Sequence, residues 1–519
     1  MAFQDGAAAV LLPLFTAGAP SSSPEVTVNV LGAVTSLLMA EGSQDALGAH
    51  GAVEALCDYI SSDQPLRVRQ QAAAALANLL SGHGENCRKA LRTSTLESLL
   101  QLLQLPEGGH SASSASAAEH ASAVLANLVS NVPMAAQQAA DAGAVEALAS
   151  QLQSSIRPGQ VFAALANFSA KLPKLCPQLA ALVPEHRLVE AMKPGDTNDA
   201  PRARLAAVAL SANLALHGPA KLRLLKAGIL KPLTVIIESP ADKATRDNAA
   251  TALANLLEGH QEALAKVFME MPDLPRRIVY ILKSNKNLLP STRQQLTRAA
   301  ALFASREASR VAVKESGAPE AFTEMLDDPE VARDAAMGLL NLAPVAKDRD
   351  KILVKGSVKK LVSLLKEPDA KAYAAGALAN LTAGSKNASS QAASEGAVPL
   401  LAEILIEIGN AKSPAEDRDC AAWALGALSH ILEFADIEAV RQQAGPALPA
   451  MCEHLVEGHG YVQDLAIFAL GTLVATAAQQ LRKTFRTNAA TAATLRKAYE
   501  ELPGGPLKDR AMKLLRLAN

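Results

Sequence analysis

Apolar residues recur along this chain with a helical period, in phrases that combine Ala and Leu with a single Asn. Residues 71–80 read QAAAALANLL, and related phrases return as ASAVLANLVS, VFAALANFSA, ATALANLLEG, AAMGLLNLAP and AAGALANLTA. At about 100° per residue, Leu76 and Leu79 fall on one side of a helix, whereas Gln71, Ala74 and Asn78 share another. Each phrase therefore predicts an amphipathic helix with its Leu residues in the core and its Asn on a different face.

The Asn phrase returns at a regular interval. The spacing averages roughly 44 residues, a period typical of repeats built from two or three helices. Because a dozen or so copies fit one register, we predict a single repeat array rather than a string of unrelated domains. The aligned positions are Ser36, Asn78, Asn127, Asn167, Asn213, Asn255, Ala304, Asn341, Asn380, Ala427, Thr472 and Arg516.

A small-residue break containing Gly follows the Asn phrase in the same rhythm. Gly suits a sharp bend that ends a short helix. Each unit is therefore predicted as short helix, Gly bend, helix, polar turn and long helix, and residues 6–38 form a first unit rather than a targeting signal. The breaks are HGAVEAL at 50–56, AGAVEAL at 142–148, AGILKPL at 227–233, SGAPEAF at 316–322, KGSVKKL at 355–361 and EGAVPLL at 395–401.

With these motifs the chain resembles armadillo-repeat proteins along nearly its whole length. The resemblance implies an all-α fold, a right-handed α-solenoid of about twelve three-helix units. It also implies a concave groove lined by the third helices, which in this family typically binds partner proteins or extended peptides. We expect residues 1–479 to form the solenoid and residues 480–519 to form its basic C-terminal capping helices.

Stacked units would bring the Asn positions, and the positions seven residues before them, into parallel rows. Amides offer donors and acceptors that match the backbone of an extended chain, so we expect partner contact there. The alternative for any single Asn is a hydrogen bond from a helix end to a neighbouring turn. If the row binds partners, replacing Asn127, Asn167 and Asn255 by Ala should lower partner affinity and leave stability nearly intact. The predicted groove residues are Asn78, Asn127, Asn167, Asn213, Asn255, Asn341, Asn380, Gln71, His120, Gln160, Asn248, Tyr373 and Trp423.

The pattern departs from two armadillo subfamilies. Importin-α units pair a Trp with an Asn four residues later, whereas the single Trp here, Trp423, precedes Ala427 by four residues. The predicted groove rows carry almost no Lys or Arg, unlike the basic groove of β-catenin-like proteins. A nuclear transport adaptor is therefore disfavoured, and strongly acidic partners are not specially favoured. A substrate-recruiting or regulatory subunit of a ubiquitin-ligase assembly, acting in trans, is the other alternative to a protein-binding scaffold.

Composition narrows the class of protein further. The 519 residues exceed what one hydrophobic core normally supports, in agreement with a repeat array. Lys and Arg total 50 against 51 Asp and Glu, a balance that argues against nucleic-acid binding. Five scattered cysteines are typical of reduced, buried thiols and favour a cytoplasmic or nuclear location. Charges or helix breakers interrupt the apolar runs, and residue 2 is Ala, so neither a membrane span nor an N-myristoyl anchor is expected.

No motif for catalysis or metal binding appears in the sequence. Phosphate-binding loops, nucleophile elbows and zinc-protease motifs are absent, and the spacing of His454 and His459 does not suit one metal site on a helix. We therefore expect no enzyme activity, no metal and no cofactor, and a monomer whose partners are proteins. Residues 107–120 are predicted to form a Ser- and Ala-rich loop. Residues 480–519 contain nine Lys or Arg against three acidic residues, and predict solvated capping helices or a contact with an acidic partner or surface.

Overall fold

The chain consists of helices joined by turns and is divided into two compact units. The units are Met1–Val267 and Phe268–Asn519. Throughout the ranges that the structure describes, no residue belongs to a β-strand, so the all-α prediction is confirmed. The computed structural model describes residue 13 and residues 23–105, 112–155, 157–239, 242–285, 287–344, 353–409, 415–434, 438–457 and 460–519.

The first unit is built from repeats in which two shorter helices precede a third helix that carries the Asn phrase. Its helices are α1 Pro24–Leu37, α2 Ser43–Ala49, α3 Ala52–Tyr59, α4 Leu66–Leu80, α5 Gly84–Ala90, α6 Thr93–Leu103, α7 Ala112–Asn131, α8 Ala135–Asp141, α9 Ala144–Ser154, α10 Gly159–Lys171, α11 Cys176–Leu182, α12 Glu185–Met192, α13 Ala200–Leu214, α14 Gly218–Lys226, α15 Leu230–Glu238 and α16 Lys243–Leu257. The third helices, α1, α4, α7, α10, α13 and α16, each pack against the next. This succession is the stacking expected of an α-solenoid.

The second unit repeats the same arrangement. The helix α17, Gln261–Glu270, contains the division between the units. The remaining helices are α18 Leu274–Ser284, α19 Pro290–Ser305, α20 Glu307–Glu315, α21 Ala318–Met325, α22 Ala332–Leu342, α23 Ser357–Leu364, α24 Lys371–Thr382, α25 Lys386–Ser394, α26 Ala397–Gly409, α27 Ala415–Phe434, α28 Glu438–Gln442, α29 Leu448–Glu457, α30 Tyr461–Thr472, α31 Val474–Thr487, α32 Ala489–Glu501 and α33 Pro506–Ala518. Here the third helices are α19, α22, α24, α27, α30 and α33, and each again packs against the next.

The Gly residues of the six predicted breaks adopt the left-handed backbone that such bends require. Their φ angles lie between 81° and 90°, a region that residues with a Cβ rarely occupy. These glycines are Gly51, Gly143, Gly228, Gly317, Gly356 and Gly396. The short-helix, bend, helix pattern is confirmed at five of them. Before Gly356, residues 345–352 lie outside the described residues, so only the bend and the following helix are confirmed there. The bend predicted at the start of residues 6–38 lies outside the described residues.

The structure bears on two predicted boundaries, the Ser- and Ala-rich loop at 107–120 and the division between residues 479 and 480. Residues 112–120 of the predicted Ser- and Ala-rich loop belong to α7, because their Ala-rich sequence continues the helix ahead of the Asn phrase. Residues 106–111 lie outside the described residues. The boundary predicted between residues 479 and 480 falls inside α31. The division of the chain into a solenoid and capping helices at this point stays a prediction.

Candidate functional site

Each third helix has one face that neighbouring helices leave partly open, and the amides lie on it. In α4, Leu76 and Leu79 are fully buried, whereas Gln71 and Asn78 are partly exposed. The helical periodicity that predicted two separate faces is therefore confirmed for this helix. The other Asn residues of the phrase are also partly exposed, except Asn255, which is 5% exposed. We call this side of the third helices the open face.

All of these Asn residues except Asn78 join successive repeats. In each case the side-chain Nδ2 donates a hydrogen bond to a backbone carbonyl of the preceding third helix. We call this series the Asn ladder. Its bonds are Asn127 to Ala77 at 2.8 Å, Asn167 to Ala126 at 2.9 Å, Asn213 to Ala166 at 3.4 Å, Asn255 to Ala212 at 2.9 Å, Asn341 to Ala301 at 2.9 Å and Asn380 to Leu340 at 2.9 Å. The ladder bond of Asn213 is long, and the same Nδ2 also donates to Ser169 Oγ at 2.8 Å.

The ladder gives the amides a structural role that differs from the one considered from the sequence. The acceptors lie within the preceding third helix rather than in a neighbouring turn. A hydrogen bond of this kind stabilises the fold by about 0.5–1.5 kcal/mol net. A carboxamide has a second N–H and an oxygen with two lone pairs, so one ladder bond uses only part of its capacity. Structural support and partner contact are therefore compatible in one side chain.

The ladder also corrects the register of α19. Asn127, Asn167 and Asn380 bond to the residue just before the ladder position of the preceding repeat. Asn341 bonds to Ala301, so the ladder position in α19 is Leu302 rather than Ala304. The sequence alignment missed this because Leu302 has no amide to mark the place.

A similar shift applies to α27. Nδ1 of His430 lies 3.0 Å from the carbonyl oxygen of Ala379, the residue before Asn380. His430 therefore holds the ladder position, not Ala427. Because a carbonyl oxygen only accepts, Nδ1 of His430 must carry a proton. The segment ALSHIL matches ALANLL, with His in place of Asn, and this signal was available in the sequence.

The corrected register changes the position of Trp423 within its repeat. It lies seven residues before His430, not four, and so belongs to the same row as Tyr373. The two ring centroids are 6.0 Å apart with an interplanar angle of 36°. The guanidinium carbon of Arg333 lies 5.4 Å from the Tyr373 ring centroid. Trp423 is thus a partly exposed member of an aromatic pair formed by successive repeats.

In the first unit, the same row carries polar groups in place of aromatic rings. Gln71, His120, Gln160 and Asn248 are partly exposed and belong to α4, α7, α10 and α16. His120 Nε2 lies 3.2 Å from Ser116 Oγ. Burial lowers the pKa of His120, with the positive charge of Arg157 acting in the same direction, so this imidazole is neutral at pH 7. The row therefore offers uncharged hydrogen-bonding groups.

Small residues lie between the two rows, four positions before the Asn. Ala74 and Ala123 are each 9% exposed, and their small side chains place little bulk between the flanking amides. In the second unit the corresponding residue is Gly376, and a Cβ there would lie 3.0 Å from Trp423 Cδ2 and from Leu340 Cδ1. Trp423 therefore packs closely over Gly376, where a Cβ would require its neighbours to shift.

A further contact group in the second unit was missed by the sequence reasoning. The guanidinium carbon of Arg510 lies 3.6 Å from the centroid of the Phe468 ring, and Nη2 lies 3.0 Å from Glu433 Oε1. The ring of His430 meets the Phe468 ring edge-on at 6.4 Å. No sequence motif announces this group, because it forms between α27, α30 and α33 only when these helices stack.

The structure reveals no alternative chemistry on the described residues. None of their His, Cys, Asp and Glu side chains form a group of three or more that could hold a metal. Since His459 lies outside the described residues, its relation to His454 stays a prediction. The five cysteines are buried and free of disulfides. Of the helices that the structure describes, none is by itself long and apolar enough to cross a membrane, and only the pair α30 and α31, bent by 115°, reaches that composition together.

Comparison with known proteins identifies one matching family model and similar solved structures. The family model described as Armadillo/beta-catenin-like repeat matches residues 42–81, which contain α2, α3 and α4. No curated protein matches the chain by sequence. A solved structure from work on a phosphorylation switch controlling the interaction between cadherin and beta-catenin has a TM-score of 0.67 at 16% identity, over 96% of this chain and 97% of that chain. An engineered protein of known structure is 22% identical over 90% of this chain and 98% of that chain, with a TM-score of 0.49.

The likeness at 16% identity concerns the fold, and the matched model concerns one repeat. The structural likeness agrees with the stacking of successive helices, and the matched repeat contains α2, the Gly51 bend, α3 and α4. The chain therefore has the fold of armadillo-repeat proteins, and its residues 42–81 match the armadillo repeat model.

Proposed function

We propose that this protein is a non-catalytic scaffold that binds extended segments of partner proteins along the open faces of its third helices. The observation that carries the proposal is the partial exposure of Gln71, Gln160 and Asn248 on third helices of the first unit, each seven residues before an Asn of the phrase. Uncharged amides match the alternating N–H and C=O groups of an extended backbone.

The dimensions of the repeats suit such a ligand. Packed helices lie about 10 Å apart, and an extended chain advances about 3.3 Å per residue, so each repeat would contact about three residues of the partner. Ala74 and Ala123 have small side chains, which would obstruct a partner segment little. The main chain would then supply affinity, and pockets flanking the amides would supply specificity.

The test uses a display library of unstructured peptides selected against the whole protein. The selected peptides are then measured against a triple variant, Gln71→Ala, Gln160→Ala and Asn248→Ala. These three side chains lie outside the ladder, so affinity should fall by at least about tenfold, or about 1.4 kcal/mol, while thermal stability stays within a few degrees.

A matched control removes three exposed amides from other faces. Gln101→Ala, Gln138→Ala and Gln153→Ala alter α6, α8 and α9, which are first or second helices of their repeats. This variant should bind the selected peptides like the wild-type protein. Equal affinity of both variants for the peptides would overturn the proposal.

A further inference from the structure

Charge is distributed unevenly along this neutral chain. The 66 residues that precede Arg67 contain seven Asp or Glu and no Lys or Arg, for a net charge of −7. Residues 480–519 contain nine Lys or Arg and three Asp or Glu, for a net charge of 9 − 3 = +6. Two short stretches thus carry opposite charges of similar size, although the whole chain has a formal net charge of −1.

Several positive charges of the second stretch are exposed and, among the residues that the structure describes, have no carboxylate beside them. On α31, Arg482, Lys483 and Arg486 are exposed on the side opposite the buried Leu481 and Phe485. Within the described part of the chain, these three cations form no ion pair.

The neighbouring helix extends this charge. On α32, which packs against α31, Arg496 and Lys497 are also exposed. Arg496 donates to the amide oxygen of Asn519 at 2.5 Å, a neutral partner that leaves its charge in place. We call Arg482, Lys483, Arg486, Arg496 and Lys497 the basic surface.

A complementary set of carboxylates is exposed in the first unit. Glu41 precedes α2, Asp45 lies on α2, Asp58 lies on α3 and Asp63 follows α3, and all four are exposed. Asp45 lies 2.8 Å from His83 Nε2, yet its side chain is 82% exposed. Glu41 and Asp58 have no ion-pair partner among the described residues. We call these four residues the acidic surface.

We propose that the basic surface of one molecule binds the acidic surface of a second copy of this chain. The two surfaces carry opposite charge and are exposed, and apart from Asp45 their charged side chains form no ion pair among the described residues, so their approach lowers the electrostatic free energy of both. Because the two surfaces differ, each such contact joins the basic surface of one copy to the acidic surface of another. This state differs from the monomer expected from the sequence, and it does not depend on the proposed peptide-binding function.

The first test is sedimentation velocity of the whole protein over a range of concentrations and salt. We expect species larger than the monomer at an ionic strength of about 0.01 M, where charges act over about 30 Å, and the monomer alone at about 1 M, where they act over about 3 Å. A protein that stays monomeric at low salt at every concentration would overturn the proposal.

The second test reverses the charges and then recombines them. One variant carries Arg482→Glu, Lys483→Glu and Arg486→Glu, and the other carries Glu41→Lys, Asp58→Lys and Asp63→Lys. Each alone should be monomeric at low salt, because it presents like charges to itself. Their mixture should associate again, with at least about a twofold rise in weight-average mass, because each now complements the other.

The matched control applies the same charge change elsewhere. Lys355, Lys359 and Lys366 are exposed residues in or beside α23, and their replacement by Glu should leave self-association unchanged. Circular dichroism verifies that every variant is folded. A mixture of the two reversed variants that remains monomeric, or a control that loses association equally, contradicts a contact between these two surfaces.

Discussion

At the scale of single residues, six of the seven Asn residues of the apolar phrases form structural hydrogen bonds that the sequence did not reveal. Asn255 is the clearest case, since it is 5% exposed and donates from Nδ2 to the Ala212 carbonyl at 2.9 Å. The periodicity showed that Asn lies away from the Leu core, but the acceptor belongs to another repeat about 43 residues earlier. A bond over that separation depends on how repeats stack, which sequence spacing alone does not determine.

The ladder changes the expected effect of removing these amides. Asn255→Ala should lower the free energy of unfolding by about 1–3 kcal/mol, because it removes a buried donor and leaves its acceptor without that bond. Asn78→Ala is the control, since none of the hydrogen bonds among the described residues is donated by the Asn78 side chain. Chemical denaturation of both variants measures the difference. Equal stability losses would show that the ladder bond contributes nothing.

The ladder also changes the effect expected of replacing Asn127, Asn167 and Asn255 together by Ala. All three residues donate ladder bonds, so stability should fall rather than stay nearly intact. Affinity loss in that variant would not by itself reveal partner contact, because weakened stacking would also distort the open face. Residues of the neighbouring row, such as Gln160, separate the two effects.

The buried cysteines provide a second test at this scale. Burial raises the pKa of Cys57 and of Cys87 to about 11 and that of Cys452 to about 12. At pH 8 these thiols are protonated in the folded protein, so a thiol-specific reagent should react slowly until the protein unfolds. Rapid reaction of the native protein at pH 8 would contradict the burial of these side chains.

The same shifts give stability a pH dependence. The folded-state pKa values lie above the ordinary thiol value of 9.0, so the folded protein holds these protons more tightly than the unfolded chain. The contribution of these protonated thiols to the free energy of unfolding is fully present below about pH 9. It is lost as pH rises from about 9 to about 12. Thermal unfolding measured across that range should show a falling midpoint.

At the scale of elements, close helix packing depends on Gly at certain third-helix positions. A Cβ at Gly338 in α22 would lie 2.5 Å from the Phe322 ring, and Phe322 is fully buried. Gly338→Ala should therefore destabilise the protein by about 1–3 kcal/mol through overpacking, despite the better helix propensity of Ala. Thermal denaturation gives the comparison.

Gly32 in α1 is the matched control for that substitution. A Cβ there would meet nothing within 4 Å, so Gly32→Ala should be neutral or stabilising by about 0.5–1 kcal/mol. If both variants are stabilised, the close approach between α21 and α22 is looser than the structure describes.

The positions of the helices were largely predictable from the sequence, whereas the residue that holds the ladder position in each third helix was not always so. Apolar periodicity and the six Gly breaks located the elements of most repeats, because both are local properties of the chain. The ladder positions in α19 and α27 were misplaced, since Leu302 and His430 lack the amide that marked the others. The aromatic pair of Tyr373 and Trp423 followed from that register and was therefore missed as well.

At the scale of the whole molecule, the two proposed interactions should respond differently to salt. Amides of the open face, such as Gln71 and Asn248, are uncharged, so peptide affinity should change by less than about threefold between about 0.05 M and 0.5 M salt. Self-association through the basic and acidic surfaces should be lost over the same range. Isothermal titration and sedimentation measure the two effects separately. A steep salt dependence of peptide binding would point to charged contacts away from the amide rows.

The central claim is that partner segments lie on the open faces of the third helices, and site-specific photo-crosslinking tests it most directly. A photoreactive amino acid replaces Gln160 on α10 in one variant and Gln153 on α9 in the other, and a selected peptide is added to each. We predict a covalent adduct from position 160 and none from position 153. An adduct from position 153 with none from position 160 would contradict the account.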